Sequence, residues 1–222
     1  MMWIIQLIIC IYFVCIAVRM VHLQSYASNA EVFYTTNKTE FIKHISDSVP
    51  TLLYEKHCQL PKIDFQINQV QSKSELISLS NYGEADSSLF LYKDKNLSFK
   101  TELIQLDKFY DSKILLPPQT SITVIQGKHT TSIQKNTYNY MFLETLDGYS
   151  VIYLIHPKYK DELDNYKEIG NQVILQPKTK LFIPSNWYYI QEINDKVIQK
   201  HNDIDDMFMF VPNFIKKYIT IV

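Results

Sequence analysis

The segment Val173–Tyr189 reads VILQPKTKLFIPSNWYY and contains two short apolar runs separated by a polar turn. Short runs rich in Ile, Val, Leu and Phe, bounded by Pro, Asn or Ser, are typical of β-strands. The segment therefore predicts strands at Gln172–Leu175 and Lys180–Ile183, and a further strand at Tyr188–Ile193 directly after Trp187.

The same pattern continues upstream of this segment. Strands are predicted at Ser121–Ile125, Tyr140–Thr145 and Ser150–Ile155, and Asp147-Gly148 predicts a hairpin turn between the last two. Many short strands at a spacing of roughly ten residues favour a sandwich or a barrel. The body of the chain is therefore predicted to be mainly β.

The remaining segments predict fewer and shorter elements. Phe41, Ile42 and Ile45 have helical spacing, so a helix is predicted over Thr39–Ile45 with Asn37 or Thr39 as its N-cap. The other predicted elements are strands at Thr51–Tyr54, Glu75–Ser80 and Ser88–Tyr92, a short helix at Leu97–Tyr110, and an apolar strand or helix at Met207–Val222.

The first segment of the chain is a candidate membrane anchor. Met2–Val18 has Gln6 as its only polar residue, and as a helix it would extend about 26 Å, just short of the roughly 30 Å hydrocarbon core. Arg19 can snorkel toward the interface and lengthen the span. A cleaved signal peptide is the alternative, because Ser25-Tyr26-Ala27 offers a cleavage point. The predicted organisation is an anchor or signal peptide (1–23), a tether (24–36) and a folded body (37–222).

The side of the membrane on which the body lies stays open. Arg19 follows the apolar segment and favours a cytoplasmic body. The sequons beginning at Asn37 and Asn96 favour a lumenal body instead. Cys58 is the one cysteine outside the apolar segment, so the sequence excludes an internal disulfide and a Cys-based zinc site in the body.

Charge and composition exclude several classes of function. The chain has 22 basic and 23 acidic residues, a formal net charge of −1, so no basic excess exists to neutralise nucleic-acid phosphates. Only 4 glycines are present, which excludes Gly-rich phosphate-binding loops. We therefore expect no nucleic-acid partner.

Two segments resemble the JmjC/cupin-like family, the double-stranded β-helix (jelly-roll) oxygenases that include asparaginyl hydroxylases. Thr131–Asn136, continued by Gly148–Pro157, is similar to the family's T-x-L-H-x-D followed by G-x-K-x-x-x-L-x-x-P. Val173–Tyr189 is similar to its L-x-P-G-D-x-L-F-I-P-x-G-W-x-H, most specifically at Phe182–Trp187. The resemblance implies a jelly roll with a few flanking helices.

The resemblance also implies a site, and this chain departs from it. In the family the His and Asp of H-x-D and a later His hold Fe(II), and a Lys pairs with 2-oxoglutarate. Those positions are occupied here by Gln134, Asn136, Tyr189 and Ser150. Amides are weak neutral donors, and a phenol would have to lose a proton with a pKa of about 10. We therefore expect no metal ligands, no cofactor and no catalytic residues.

The preferred interpretation is a membrane-anchored jelly roll that has lost its Fe(II)/2-oxoglutarate site and acts as a binding or structural module with a protein partner. Its composition resembles proteins of large DNA viruses, which would place it in a host or virion membrane. Tyr140, Trp187 and Tyr188 are the residues predicted to line a pocket.

Two other functions stay open. One is an active Fe(II)/2-oxoglutarate-dependent protein hydroxylase with non-standard ligands, for which His129 or His156 would substitute. The other is a receptor-like β-sandwich ectodomain, which predicts glycans at the two sequons.

Overall fold

The structure is a computed structural model, and it describes residues 2–25, 31–54, 92–94, 119–125 and 127–205. The predicted elements at Glu75–Ser80, Leu97–Tyr110 and Met207–Val222 lie outside these residues, as do Cys58, Asn96 and most of Ser88–Tyr92.

Three α-helices and ten strands are described. The helices are α1 (Met2–Ser25), α2 (Lys38–Ser46) and α3 (Tyr166–Ile169), with 3-10 turns at Pro157–Tyr159 and Leu163–Asn165. The strands are β1 (Phe33–Thr35), β2 (Thr51–Tyr54), β3 (Tyr92–Asp94), β4 (Gln119–Ile125), β5 (His129–Thr130), β6 (Gln134–Lys135), β7 (Tyr140–Ile155), β8 (Asn171–Leu175), β9 (Thr179–Pro184) and β10 (Tyr188–Ile204).

The described strands form one mixed sheet in the order β1-β2-β9-β7-β10-β4-β3. β1 and β2 pair in parallel, and the other pairs are antiparallel. β7 pairs with β9 along its first half and with β8 along its second. β10 pairs with β6 and β5 along its first half and with β4 along its second. Two long strands, β7 and β10, therefore run through the centre of the described sheet, and the predicted mainly β class is confirmed. The jelly roll stays a prediction.

The predicted hairpin at Asp147-Gly148 is wrong. β7 runs continuously through these residues, and Gly148 takes a φ of 80° within it. Thr145 pairs with Gln199 and Asp147 with Ile198, so Leu146 is an extra residue in the register. An extra residue moves the side chains that follow it to the other face of the sheet. The left-handed glycine thus bends one strand instead of joining two.

Gly148→Ala is expected to destabilise the folded protein by about 1–3 kcal/mol, the usual range for a strained backbone position. A Cβ at residue 148 would lie 1.9 Å from the backbone oxygen of Lys196, and its φ of 80° disfavours any L side chain. Urea unfolding of the full chain measures the loss. Tyr149→Ala, at a neighbouring position that is 66% exposed, is the control and should change little; equal losses in both variants would contradict this account.

The inner face of the sheet carries most of the apolar core. Met141 and Leu143 precede the bulge and Ile152 and Leu154 follow it, yet all four belong to one buried cluster, as the change of face requires. The other members of this cluster are Leu52, Val173, Leu175, Leu181, Ile183, Trp187 and Tyr189.

Helix α2 covers part of the outer face. It lies where the sequence predicts a helix, and Asn37 is its N-cap, with its side-chain oxygen 2.9 Å from the amide nitrogen of Thr39. Phe41 and Ile45 are fully buried and pack in a second cluster with Leu53, Tyr140, Phe142, Phe182 and Ile204. Strand β1 lies within the predicted tether, so the sheet begins before residue 37.

Helix α1 presents large apolar side chains to its surroundings. Trp3, Ile8 and Phe13 are 69%, 61% and 63% exposed, and apolar residues occupy every side of the helix. Among the described residues, none of the helices combines the length and the apolar content needed to cross a membrane.

Candidate functional site

A cavity of about 170 Å³ opens between β4, β6 and the two halves of β10. Most of the side chains that line it are polar and uncharged. They include Ser121, Thr123, Thr131, Gln134, Asn136, Thr137, Tyr189 and Gln191, together with Lys135, His201 and Asp203.

The three residues that the sequence resemblance aligns with metal ligands line this one cavity. Tyr189 of β10 pairs directly with Gln134 of β6, and Asn136 follows β6 by one residue. β-pairing places directly opposed side chains about 5 Å apart, which explains how residues distant in sequence meet. The structure therefore brings Gln134, Asn136 and Tyr189 together.

The side chain of Asn136 is committed to the backbone around it. Its Nδ2 donates hydrogen bonds to the carbonyl oxygens of Ile183 and Pro184 at 2.8 and 3.0 Å, and its Oδ1 accepts from the amide of Tyr138 at 2.9 Å. Asn136 is only 1% exposed. Both amide hydrogens are thus used to tie β6 to the end of β9, and a carboxylate could not make these bonds because it has no hydrogen to donate.

Ser150, which the sequence resemblance aligns with a cosubstrate lysine, lies in a buried amide network. Its hydroxyl oxygen is 2.8 Å from Nε2 of Gln191 and 3.2 Å from Nε2 of Gln199, and Gln191 Nε2 also lies 2.9 Å from Gln199 Oε1. These three residues are at most 4% exposed. The network occupies this part of the interior with neutral groups.

The residues at these four positions do not fit Fe(II) and 2-oxoglutarate. An iron site needs strong nitrogen or anionic oxygen donors, whereas Gln134 and Asn136 supply amides and Asn136 already uses its polar atoms. Ser150 offers no charge to a carboxylate. Within the described part of the chain, no group of three His, Cys, Asp or Glu side chains is placed to hold a metal ion.

The two histidines considered as substitute ligands lie outside the cavity lining. His156 caps the 3-10 turn that follows β7, with its Nδ1 3.0 Å from the amide of Lys158. Its ring packs edge-on against Trp187, with centroids 5.1 Å apart. His129 lies in β5, is 4% exposed, and its Nδ1 has no hydrogen-bond partner among the described residues.

The three aromatic residues predicted to line a pocket do not line this cavity. Trp187 is fully buried in the inner apolar cluster, and Tyr140 packs against Phe182 in the outer one, with ring centroids 6.3 Å apart. Tyr188 is half-buried, and the ammonium group of Lys135 lies 5.4 Å from the centroid of its ring.

His201 and Asp203 are cavity residues that the sequence interpretation missed. The strand predicted at Tyr188–Ile193 continues to Ile204, and its second half pairs with β4. Asn194, Asp195 and Lys196 resemble a turn but lie in an irregularity within the strand. The alternation of Gln199, His201 and Asp203 beyond them was the signal that could have revealed the continuation.

The buried His129 predicts a pH dependence of stability. Burial lowers the pKa of its imidazole below the ordinary value of 6.5. The imidazole therefore binds a proton more readily in the unfolded chain than in the folded chain. The folded state keeps its full stability from the neutral His129 above pH 6.5, and it loses that stability as the pH falls toward the lowered pKa of the folded chain. His129→Gln should show a smaller loss of unfolding free energy between pH 7 and pH 5 than the parent chain, measured by urea unfolding. An unchanged pH profile would contradict this assignment.

No family model matches the chain, and no curated protein matches it by sequence. Among solved structures, it is similar to a cupin superfamily protein from Desulfitobacterium hafniense, with 11% identity, a TM-score of 0.36, and coverage of 55% of this chain and 84% of that one. It is also similar to a Bacillus halodurans protein (13% identity, TM-score 0.32, 39% of this chain and 61% of that one). A third similar structure is Drosophila melanogaster CENP-C bound to CAL1 (10% identity, TM-score 0.31, 37% of this chain and 58% of that one).

Proposed function

We propose that this chain is a membrane-anchored, cupin-like binding module that works without Fe(II) and 2-oxoglutarate. The observation that carries the proposal is the side chain of Asn136, which holds two backbone carbonyls and one backbone amide instead of facing a metal ion. A binding role is favoured over a purely structural one because the jelly roll keeps a polar cavity of about 170 Å³ instead of filling it.

The Ser150 network supports the same proposal. In an oxygenase of the resembling family, this region would present a positive charge to the cosubstrate. Here Gln191 and Gln199 converge on a hydroxyl, and none of the three carries a charge. The chemistry of the interior thus favours neutral hydrogen bonding over the binding of a dicarboxylate.

Metal analysis and turnover test the loss of the oxygenase site. The full chain is purified in detergent, incubated anaerobically with Fe(II), desalted, and analysed for bound iron and for succinate release from 2-oxoglutarate. We expect iron far below one equivalent and no succinate above the buffer value. An active 2-oxoglutarate oxygenase treated in the same detergent is the positive control. One equivalent of iron together with succinate release would overturn the proposal.

The membrane part of the proposal concerns α1. Most of its large apolar side chains are exposed, Ile16 being an exception, and a bilayer is the environment that would remove them from water. Together with the resemblance in composition to proteins of large DNA viruses, this exposure supports the proposal that the body lies at a host or virion membrane. A protein partner is part of the same proposal: Tyr149 and Ile174 are 66% and 58% exposed on neighbouring strands.

Alkaline carbonate extraction of cells that express the full chain tests the anchor. The parent chain should stay in the membrane pellet, and the Ile8→Lys/Phe13→Lys variant should move to the supernatant, because each Lys at a helix centre opposes insertion by about 3 kcal/mol. Ile133→Lys/Ile174→Lys, which changes two exposed apolar residues outside α1, is the matched control and should stay in the pellet. Release of the parent chain into the supernatant would contradict the proposed membrane anchor.

A further inference from the structure

We infer that the cavity binds a neutral, polyhydroxylated small molecule with a single ring, of the size of a monosaccharide or a cyclic polyol. This inference rests on the proposed binding function and specifies its ligand. It is carried by the size of the cavity, by the polar groups that face it without partners, and by the balance of its charges.

The size of the cavity suits one ring. A cavity of roughly 150 Å³ holds a single benzene ring, and the present one measures about 170 Å³. Larger ligands, such as a nucleotide or an acyl chain, would need more space than it offers. A single ordered water would leave most of this volume empty, which sets a lower limit on the size of the ligand.

Four polar side chains face the cavity without using their hydrogen-bonding capacity. The hydroxyls of Ser121, Thr123 and Thr137 and the amide of Gln134 line the cavity and have no side-chain hydrogen bond among the described residues. Ser121 is only 5% exposed, and buried polar groups are nearly always satisfied in folded proteins. These groups are therefore available to bond to a molecule that enters the cavity.

The type of these groups identifies the chemistry of the partner. A hydroxyl both donates and accepts, and a carboxamide offers one acceptor and two donors. Their best complement is a ligand whose own groups both donate and accept, which is the property of an alcohol. A ring with several hydroxyls would engage Ser121 and Thr123 on β4 and Gln134 on β6 at the same time.

The charges of the lining favour an uncharged ligand. Lys135 contributes one ammonium and Asp203 one carboxylate, so the formal charge of the lining is zero when His201 is neutral. Lys135 is exposed and lies over the ring of Tyr188, at the rim. An anion inside the cavity would face the Asp203 carboxylate, and a cation at the rim would face the Lys135 ammonium, so a neutral ligand avoids repulsion at both places.

The lining also has an apolar part. Ile125 and Met141 contribute aliphatic surface, and Tyr189 contributes an aromatic ring. The C–H groups of a polyol ring would face these residues while its hydroxyls face β4 and β6. Ligand pockets commonly combine apolar walls with a few placed polar groups in this way.

Calorimetric titration of the full chain tests the inference. The protein is held in a zwitterionic detergent without a sugar headgroup. The neutral probes are D-glucose, D-galactose, D-ribose and myo-inositol. Glucuronate and glucosamine are the charged probes of the same size, and 2-oxoglutarate is the acyclic anion. We expect at least one neutral probe to bind at millimolar concentration or below, and more tightly than the charged probes.

Two variants link binding to the cavity. Gln134→Leu and Thr123→Val each remove polar groups with little change of shape, and each should weaken the bound neutral probe by about tenfold. Gln172→Leu, an exposed position on β8 outside the cavity, should leave binding unchanged. Thr123→Val replaces a half-buried residue by its isostere, so it remains informative if Gln134→Leu unfolds.

The outcomes separate this inference from the function on which it rests. The absence of binding by every neutral probe, tighter binding of a charged probe, or equal affinities in the parent and Thr123→Val would overturn the inference. The proposed function is tested separately, because only bound iron together with succinate release would overturn it, and none of the titration results bears on either measurement.

Discussion

Asn136→Asp is expected to destabilise the folded protein by about 3–5 kcal/mol at pH 7, the range for a buried charge left without a partner. The substitution keeps the shape of the side chain and introduces the residue that the motif of the resembling family has at this position. It removes the two hydrogens now donated to Ile183 and Pro184, and sets a carboxylate against carbonyl oxygens 2.8 and 3.0 Å away. Urea unfolding of the full chain measures the loss.

The pH dependence of this loss has a defined sign. Burial and the two carbonyl dipoles would raise the pKa of an aspartic acid at residue 136 above its ordinary value of about 3.9. The folded variant would then hold a proton that the unfolded chain releases, so the difference from the parent should shrink as the pH falls from 7 toward 4. Asn165→Asp, at an exposed helix cap without a side-chain hydrogen bond, is the control. A stable Asn136→Asp variant that gains bound iron would show that residue 136 can face a metal.

Glu144→Gln is expected to cause a loss of about 3–5 kcal/mol, because it removes one charge from a buried pair. Glu144 and Lys180 are 7% and 6% exposed, and Glu144 Oε1 lies 3.7 Å from Lys180 Nζ. Lys200 is 1% exposed and lies opposite Glu144 in the register of β10 with β7. Burial lowers the pKa of Lys200, and the negative charge of Glu144 opposes that shift.

Equilibrium unfolding in urea at pH 7 measures this second effect. Glu168→Gln makes the same chemical change at an exposed position of α3 and should alter the unfolding free energy by less than about 0.5 kcal/mol. A loss below about 1 kcal/mol in Glu144→Gln would mean that the two lysines find adequate compensation elsewhere.

The elements that the sequence predicted best are those with a clear local signal at their start. Thr51–Tyr54 follows Pro50 and is found at the predicted bounds, and Asn37 caps α2 because a carboxamide can accept the first free amides of a helix. The prediction failed at Asp147-Gly148, where it placed a hairpin turn, and after Ile193, where it ended a strand that continues through Asn194–Lys196. Both sequences favour turns locally, yet they face each other as irregularities between β7 and β10, where pairing along the two long strands outweighs local preference.

The candidate site divides in the same way. The sequence by itself determined the chemical identity of the groups: two amides, a phenol and a hydroxyl stand where the resembling family has metal ligands and a lysine. Only the tertiary structure decided what these groups do. The cross-strand register of β6, β7 and β10 commits Asn136 to the backbone, closes Ser150 into an amide network and brings His201 and Asp203 to the cavity. The physical reason is that hydrogen-bond partners are set by contacts between strands far apart in sequence, which local patterns do not encode.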